Sequence, residues 1–482
     1  MMTGEKTHSF VIDTEVTSDQ LGNLVDYIYH QYVLPHPEGF TNVTKAIVDN
    51  KPFLAFTIVG SKGNVNVEII GNKPIQVKMA SSETVPTEFI DEIKQDLIIA
   101  VQFFEEKVRK TTLYFAWRER EEVLPEKVHG KEKKTLNRLL LETQIFLFII
   151  FIVASIFLFA VFALIDLIWL APIVLIVFQL IITLNSDKII ARIGDWRVTA
   201  DNPSIHILQY HLPADEYKAF VEKYSRETLL EMKKEIYENT LAVGKTINCE
   251  TAEQVFRKHG FECKPENMST KTVNVYQLVK STAEKFDFPT PKILVSNTML
   301  PNAAASGPSP SRGVVLITTG LLVQLEEDEI LSVLGHEFGH LRGRDPLILF
   351  ALTAAEYLFR FYVLFDLFPI LFYSMFGFLY LILIMGGIYF VAKFFEARAD
   401  LISAQVIGQP EVLAEALEKI GFRRLQFEKS PSYRVQEWLS WDPHPPIYFR
   451  ASRLEKMQSP EKIKYSLLRS IKDVINGFFA SL

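Results

Sequence analysis

Two stretches of this chain, Ile145 to Leu184 and Leu347 to Ala392, are almost uninterruptedly apolar, and they restrict the possible folds more than any other feature. Each is about twice the ~20 residues that a helix needs to cross a bilayer. The first is broken mainly by Asp166 and Pro172 and the second near Asp366 to Pro369, so each reads as a helical hairpin and the chain as a protein with four spans. Lys127, Lys131, Lys133, Lys134 and Arg138 precede the first hairpin, and Lys188, Arg192 and Arg197 follow it. Arg342, Arg344, Lys393 and Arg398 flank the second. Basic residues at the open ends put those ends, and with them both termini, on the cytoplasmic side of a cell membrane. A content of 49% apolar residues, with 37 phenylalanines, agrees with a lipid bilayer as partner, and a formal net charge of -6 gives no sign of nucleic acid.

Just before the second hairpin, a helix pattern opens with Glu326, Glu327, Asp328 and Glu329 and ends in His336-Glu337-Phe338-Gly339-His340. Histidines four apart lie on one side of a helix, one turn above the other, so His336 and His340 can reach one metal ion. Glu337 points close to that ion without having to ligate it. Two neutral nitrogens, an open position for water and a carboxylate to take the water's proton are what a zinc hydrolase needs. A third protein ligand is still required. The second hairpin returns the chain to the side where it left, and the helix that emerges carries Glu396-Ala397-Arg398-Ala399-Asp400. Glu396 is therefore expected to complete a His2Glu zinc site with one ion per chain. Asp400, one turn further, is placed to accept the second ring N–H of a ligating histidine and fix its tautomer. Because the hairpin begins six residues after His340, the metal is expected on the order of 10 Å from the membrane boundary, with the catalytic segment on the cytoplasmic side.

The remainder of the chain divides around these elements. Residues 1–122 read as a soluble α+β domain. It has a short strand at Phe10 to Ile12, helices at Ser18 to Tyr32 and Pro86 to Lys110, and strands at Phe53 to Val59, Val65 to Ile70, Ile75 to Met79 and Thr112 to Trp117. No catalytic constellation lies there, and His30 and His36 read as ordinary surface or core residues. A basic linker, 123–141, leads to the first hairpin, 142–186. The catalytic segment is then split by the second hairpin, 346–393, into 187–345 and 394–482. Its first part is expected to hold strands at Ile205 to Tyr210, Lys292 to Val295 and Gly313 to Thr318, helices at Ala214 to Leu241 and Thr272 to Phe286, and a loop at Pro301 to Pro310. Cys249 and Cys263 are the only cysteines, which excludes a disulfide framework and suits a reducing compartment. The first residues lack an apolar core, so a cleaved signal peptide is not expected. Glu356 and Arg360, four apart inside the second hairpin, read as an intramembrane ion pair.

From Glu142 to Lys456 the chain resembles the HtpX-type membrane zinc metallopeptidases, relatives of the CAAX prenyl endopeptidases. The resemblance rests on the apolar hairpins, H-E-F-G-H, E-A-R-A-D and two weaker motifs. It implies a multi-span α-helical membrane protein with a zincin-like, mainly α catalytic domain carrying a small β-sheet, the α+β domain standing outside it. Asn302 and Ala303 resemble the family's Asn-Ala segment beside the cleft, on the strand edge where a substrate peptide is expected to pair. Ala304 stands where an aromatic residue often follows. His444-Pro445-Pro446 with Arg450 resembles a late H-P-P-x-x-x-R motif, which implies that His444 faces the oxyanion and Arg450 lies by the substrate. Read from the residues alone, His444 is equally a turn residue fixed by two prolines. The expected function is zinc-dependent endopeptidase activity on peptide or membrane-protein substrates, in membrane-protein quality control. The alternatives are a CAAX-prenyl-protein-type endopeptidase, disfavoured by a count of four spans, and a scaffold or transporter with a structural metal, built on Glu356, Arg360 and Asp366. The oligomeric state is left open.

Overall fold

In the computed structural model, residues 5–119, 144–192, 194–372 and 374–482 are described, and the basic linker expected at 123–141 lies outside them. The chain divides into two units. One comprises Met1–Trp117, His206–Thr272 and Glu418–Gln426, the other Arg118–Ile205, Val273–Leu417 and Phe427–Leu482.

The first unit is built on a five-stranded antiparallel sheet in the order Glu5–Ile12, Ile75–Ser82, Gly63–Ile70, Lys51–Gly60, Phe40–Val48. Alternation along the central strands turns Val65, Val67, Ile69, Ile75, Val77 and Met79 to one face, where the helix Thr87–Arg109 covers them with Ile90, Ile93, Leu97, Val101 and Phe104. A second, three-stranded sheet joins Thr112–Arg118, Ile205–His211 and Met268–Val273 in that order. The strand Phe40–Val48 has no counterpart in the sequence reading. The single helix expected at Ala214 to Leu241 is two, Ala214–Lys223 and Arg226–Asn239, with Ser225 accepting the Thr228 N–H between them as an N-cap.

The second unit carries a four-stranded sheet in the order Ala303–Ser306, Val314–Thr318, Lys292–Ser296, Trp196–Val198. Its two central strands run parallel and its outer pairs antiparallel. Ala303–Ser306 lies inside the expected loop and forms one edge of the sheet. The histidine helix, Glu327–Gly343, starts where the Glu329 carboxylate accepts the Glu326 N–H at 2.9 Å. It ends at Arg344, whose left-handed φ of 53° breaks the helix before Asp345-Pro346 opens the next one. Among the described residues two helices are long and apolar enough to cross a membrane, Asp345–Leu367 with 23 residues and Met375–Val406 with 32. In the first apolar block the helix Gln144–Leu164 has 21 residues and Ile168–Leu184 is shorter, with Asp166 at φ 55° between them.

Met375–Val406, the glutamate helix, runs unbroken from the apolar block through Glu396 and Asp400. Gly339 lets it pack closely on the histidine helix: a Cβ there would lie 3.0 Å from the Ala399 Cα. Ala397 joins Trp438 and Val474 in a buried cluster with Phe390, Phe394, Phe449 and Phe478, which fixes this part of the helix against the C-terminal helices.

Candidate metal centre

The close packing of the two helices brings His336, His340 and Glu396 together, and these three could hold a metal ion. The two Nε2 atoms are 3.2 Å apart. From Glu396, Oε2 is 3.4 Å from His336 Nε2 and Oε1 is 3.4 Å from His340 Nε2. Ligands held tetrahedrally at ~2.0–2.2 Å from a common ion lie ~3.3–3.6 Å from one another, close to the separations here, so the spacing suits a small cation at the centre. The donor set fits as well, because Glu396 Oε2 is buried and has no hydrogen-bond partner. An acceptor left in that state is costly unless a cation completes it.

Both imidazoles are turned with Nε2 inward because their outer nitrogens are occupied. His336 Nδ1 donates to Asp400 Oδ1 and His340 Nδ1 donates to Asp345 Oδ2, each at 2.8 Å. A proton fixed on Nδ1 leaves the Nε2 lone pair free for a metal. Burial alone would lower the pKa of both rings. The carboxylates around them reverse this, Asp400 and Glu396 for His336, Glu396 and Asp345 for His340, and raise both above the ordinary histidine value. The cluster thus favours positive charge at its centre, as a cation site should.

Arg450 is 4% exposed, and its guanidinium clasps Asp400 through Nε–Oδ2 at 2.9 Å and Nη2–Oδ1 at 2.7 Å. Its helix, Ile447–Glu455, begins where Glu428 accepts the N–H groups of Ile447 and Tyr448 at 3.0 and 2.8 Å. His444, just before that helix, is 44% exposed at its side chain, with Nδ1 donating to Asp442 at 2.7 Å and Nε2 lying 3.6 Å from Glu396 Oε2. Glu337 is half-buried, and its Oε2 accepts the N–H of Ala305 at 2.9 Å. Asn302 and Ala303 lead into that same edge strand. The Asn302 N–H donates to Thr318 Oγ1 at 2.9 Å, and Ala303 pairs with Ile317.

Sequence reasoning missed three members of this arrangement. Asp345 reads as a helix stop and Arg398 as a charge flanking a membrane span, yet Asp345 receives both His340 and Arg398. Lys393, read in the same way, is fully buried and donates to the carbonyls of Ser440 and Asp442, ahead of His444. The available signal was glycine at every fourth position, Gly335, Gly339 and Gly343, a strip along which a second helix can approach.

Residues 269–458 match peptidase family M48. A "Protease HtpX homolog" of Thermodesulfovibrio yellowstonii is 42% identical over 74 residues, 15% of this chain and 26% of that relative, so this alignment spans about a quarter of the relative's length. "Protease HtpX homolog 2" of Methanosarcina acetivorans is 31% identical over 200 residues, 36% of this chain and 68% of the relative. A "Protease HtpX homolog" of Gemmatimonas aurantiaca is 28% identical over 218 residues, covering 38% and 75%. Among solved structures, S. mikatae Ste24p aligns with 37% of this chain and 49% of its own at 19% identity and a TM-score of 0.30, too low to bear on the fold.

Proposed function

From the premise that this chain belongs to peptidase family M48 as an HtpX-type member, we propose that it is a membrane-bound zinc endopeptidase acting on peptide or membrane-protein substrates in quality control. The observation that carries the reading is two imidazole Nε2 atoms 3.2 Å apart, each 3.4 Å from one oxygen of the Glu396 carboxylate. That ligand type and spacing suit zinc, one ion per chain.

Bound zinc would polarise the scissile carbonyl and lower the pKa of water towards ~7. Glu337 takes the proton from the attacking water and returns it to the leaving amine. Its link to Ala305 ties the base to the edge strand, and Asn302 and Ala303 start that strand where an extended peptide would pair. His444, oriented by Asp442, is aimed to donate a hydrogen bond to the carbonyl oxygen as charge develops there. Asp400 holds the tautomer of His336, and Arg450 acts through Asp400.

The membrane part of the reading has four spans, the helices Gln144–Leu164 and Ile168–Leu184 forming the first pair, with termini and catalytic segment on the cytoplasmic side. The test is to incubate the detergent-purified protein with zinc and an unfolded membrane protein beside its Glu337→Gln form. The expected outcome is cleavage by the native chain and a rate about 10²- to 10⁴-fold lower for Glu337→Gln, which keeps its zinc. Full turnover by that variant would contradict the assignment.

A further inference from the structure

We infer that Asp345 and Arg398 are positioning residues for His340, and that through them the metal centre is tied to the open ends of the second membrane hairpin. This rests on the reading of His336, His340 and Glu396 as ligands. Asp345 is 3% exposed and is the first residue of the helix that begins the hairpin. One of its oxygens accepts His340 Nδ1–H at 2.8 Å and the other accepts the Arg398 guanidinium. Arg398 is itself buried, on the returning helix, two residues beyond Glu396.

With both oxygens engaged, the carboxylate cannot rotate away from the ring. His340 is thereby kept in the tautomer whose Nε2 lone pair faces the metal position. His336 is served by a string of the same make, from ring to Asp400 to Arg450. The two strings differ in where they are anchored. Asp400 is held by the helix Ile447–Glu455, whereas Asp345 and Arg398 sit on the two helices of the hairpin, so their ion pair clasps those helices and orients a ligand at once.

Room for this pairing is specific to one position. A Cβ on Gly343 would lie 1.7 Å from Arg398 Nη2 and 2.6 Å from Asp345 Oδ1, so glycine leaves the space that the guanidinium and carboxylate fill. A purely structural clasp would make the same contact with Arg398 but would have no use for the bond to His340.

The experiment compares zinc binding by the native full-length chain in detergent with Asp345→Asn, Arg398→Met and Arg398→Lys, using chelator competition and the visible spectrum of the Co(II)-substituted protein. Thermal unfolding without metal is recorded alongside. Asp345→Asn should weaken zinc affinity about 10- to 100-fold and shift the cobalt bands. Arg398→Met should weaken it less, and Arg398→Lys should restore part of that loss because it keeps a cation against Asp345. Should Asp345→Asn fail to fold, the Arg398 pair carries the test. Variants that melt lower but bind zinc within twofold of the native chain, with unchanged cobalt bands, would overturn the inference and leave the metal centre standing. A native chain that binds no zinc would overturn the metal centre itself and the inference with it.

Discussion

Both the candidate metal centre and the Glu356–Arg360 pair in the first long apolar helix draw acid and base together, yet they end in opposite states. In the helix, Arg360 donates through Nε to Glu356 Oε1 at 2.8 Å and through Nη2 to Oε2 at 3.3 Å, and Tyr380 adds its hydroxyl to Oε1 at 3.0 Å. Each carboxylate oxygen is satisfied and the charge is cancelled within one turn. At the candidate metal centre Asp345 and Asp400 are likewise satisfied, but the buried Glu396 Oε2, which has no hydrogen-bond partner, faces the two inward imidazole nitrogens. A buried charge by itself is therefore a poor sign of chemistry. Convergent acceptors that their surroundings leave incomplete are a good one, because only a ligand relieves the cost of burying them.

That contrast can be broken from either side. The larger effect is expected at Asp400: Asp400→Asn should weaken zinc affinity about 10- to 100-fold, measured against a competing chelator, because His336 loses the anion that fixes its tautomer. Native affinity in that variant would mean that ligand orientation does not depend on the carboxylate, and the distinction between the two clusters would shrink. The smaller effect is expected at Glu356. Glu356→Gln should lower stability by about 1–3 kcal/mol, since Arg360 is left without its anion, while zinc content stays within twofold of native. A loss of zinc there would join the two clusters into one functional system and revive the transporter or scaffold alternative.

The parts of the candidate site to which the sequence points are those set by spacing on a helix. His336, Glu337 and His340 follow from the turn of one helix, and Glu396 and Asp400 from a hairpin that must come back to its own side. Asp345 and Arg398 follow from neither rule, because their meaning depends on which helix packs against which. Their residue types at a hairpin's ends already had a sufficient explanation. Residue pattern alone hides the edge strand Ala303–Ser306, because three alanines and a serine carry no alternation; only the resemblance at Asn302 and Ala303 points to a strand edge there, and the pairing with Val314–Thr318 makes it a strand. Phe40–Val48 was hidden for a related reason. It is exposed along nearly its whole length, and its one local sign is the turn at Asp49-Asn50, both with positive φ. The three-stranded sheet joins segments about ninety and sixty residues apart, a pairing to which local pattern is blind.

The central claim is that a long apolar helix, Met375–Val406, delivers an acidic side chain to two imidazoles. Zinc per chain, measured by elemental analysis on native protein, Glu337→Gln and Glu396→Ala after dialysis against a weak chelator, tests this directly. The prediction is about one zinc in the first two and its loss in Glu396→Ala. Equal zinc in all three forms would contradict it.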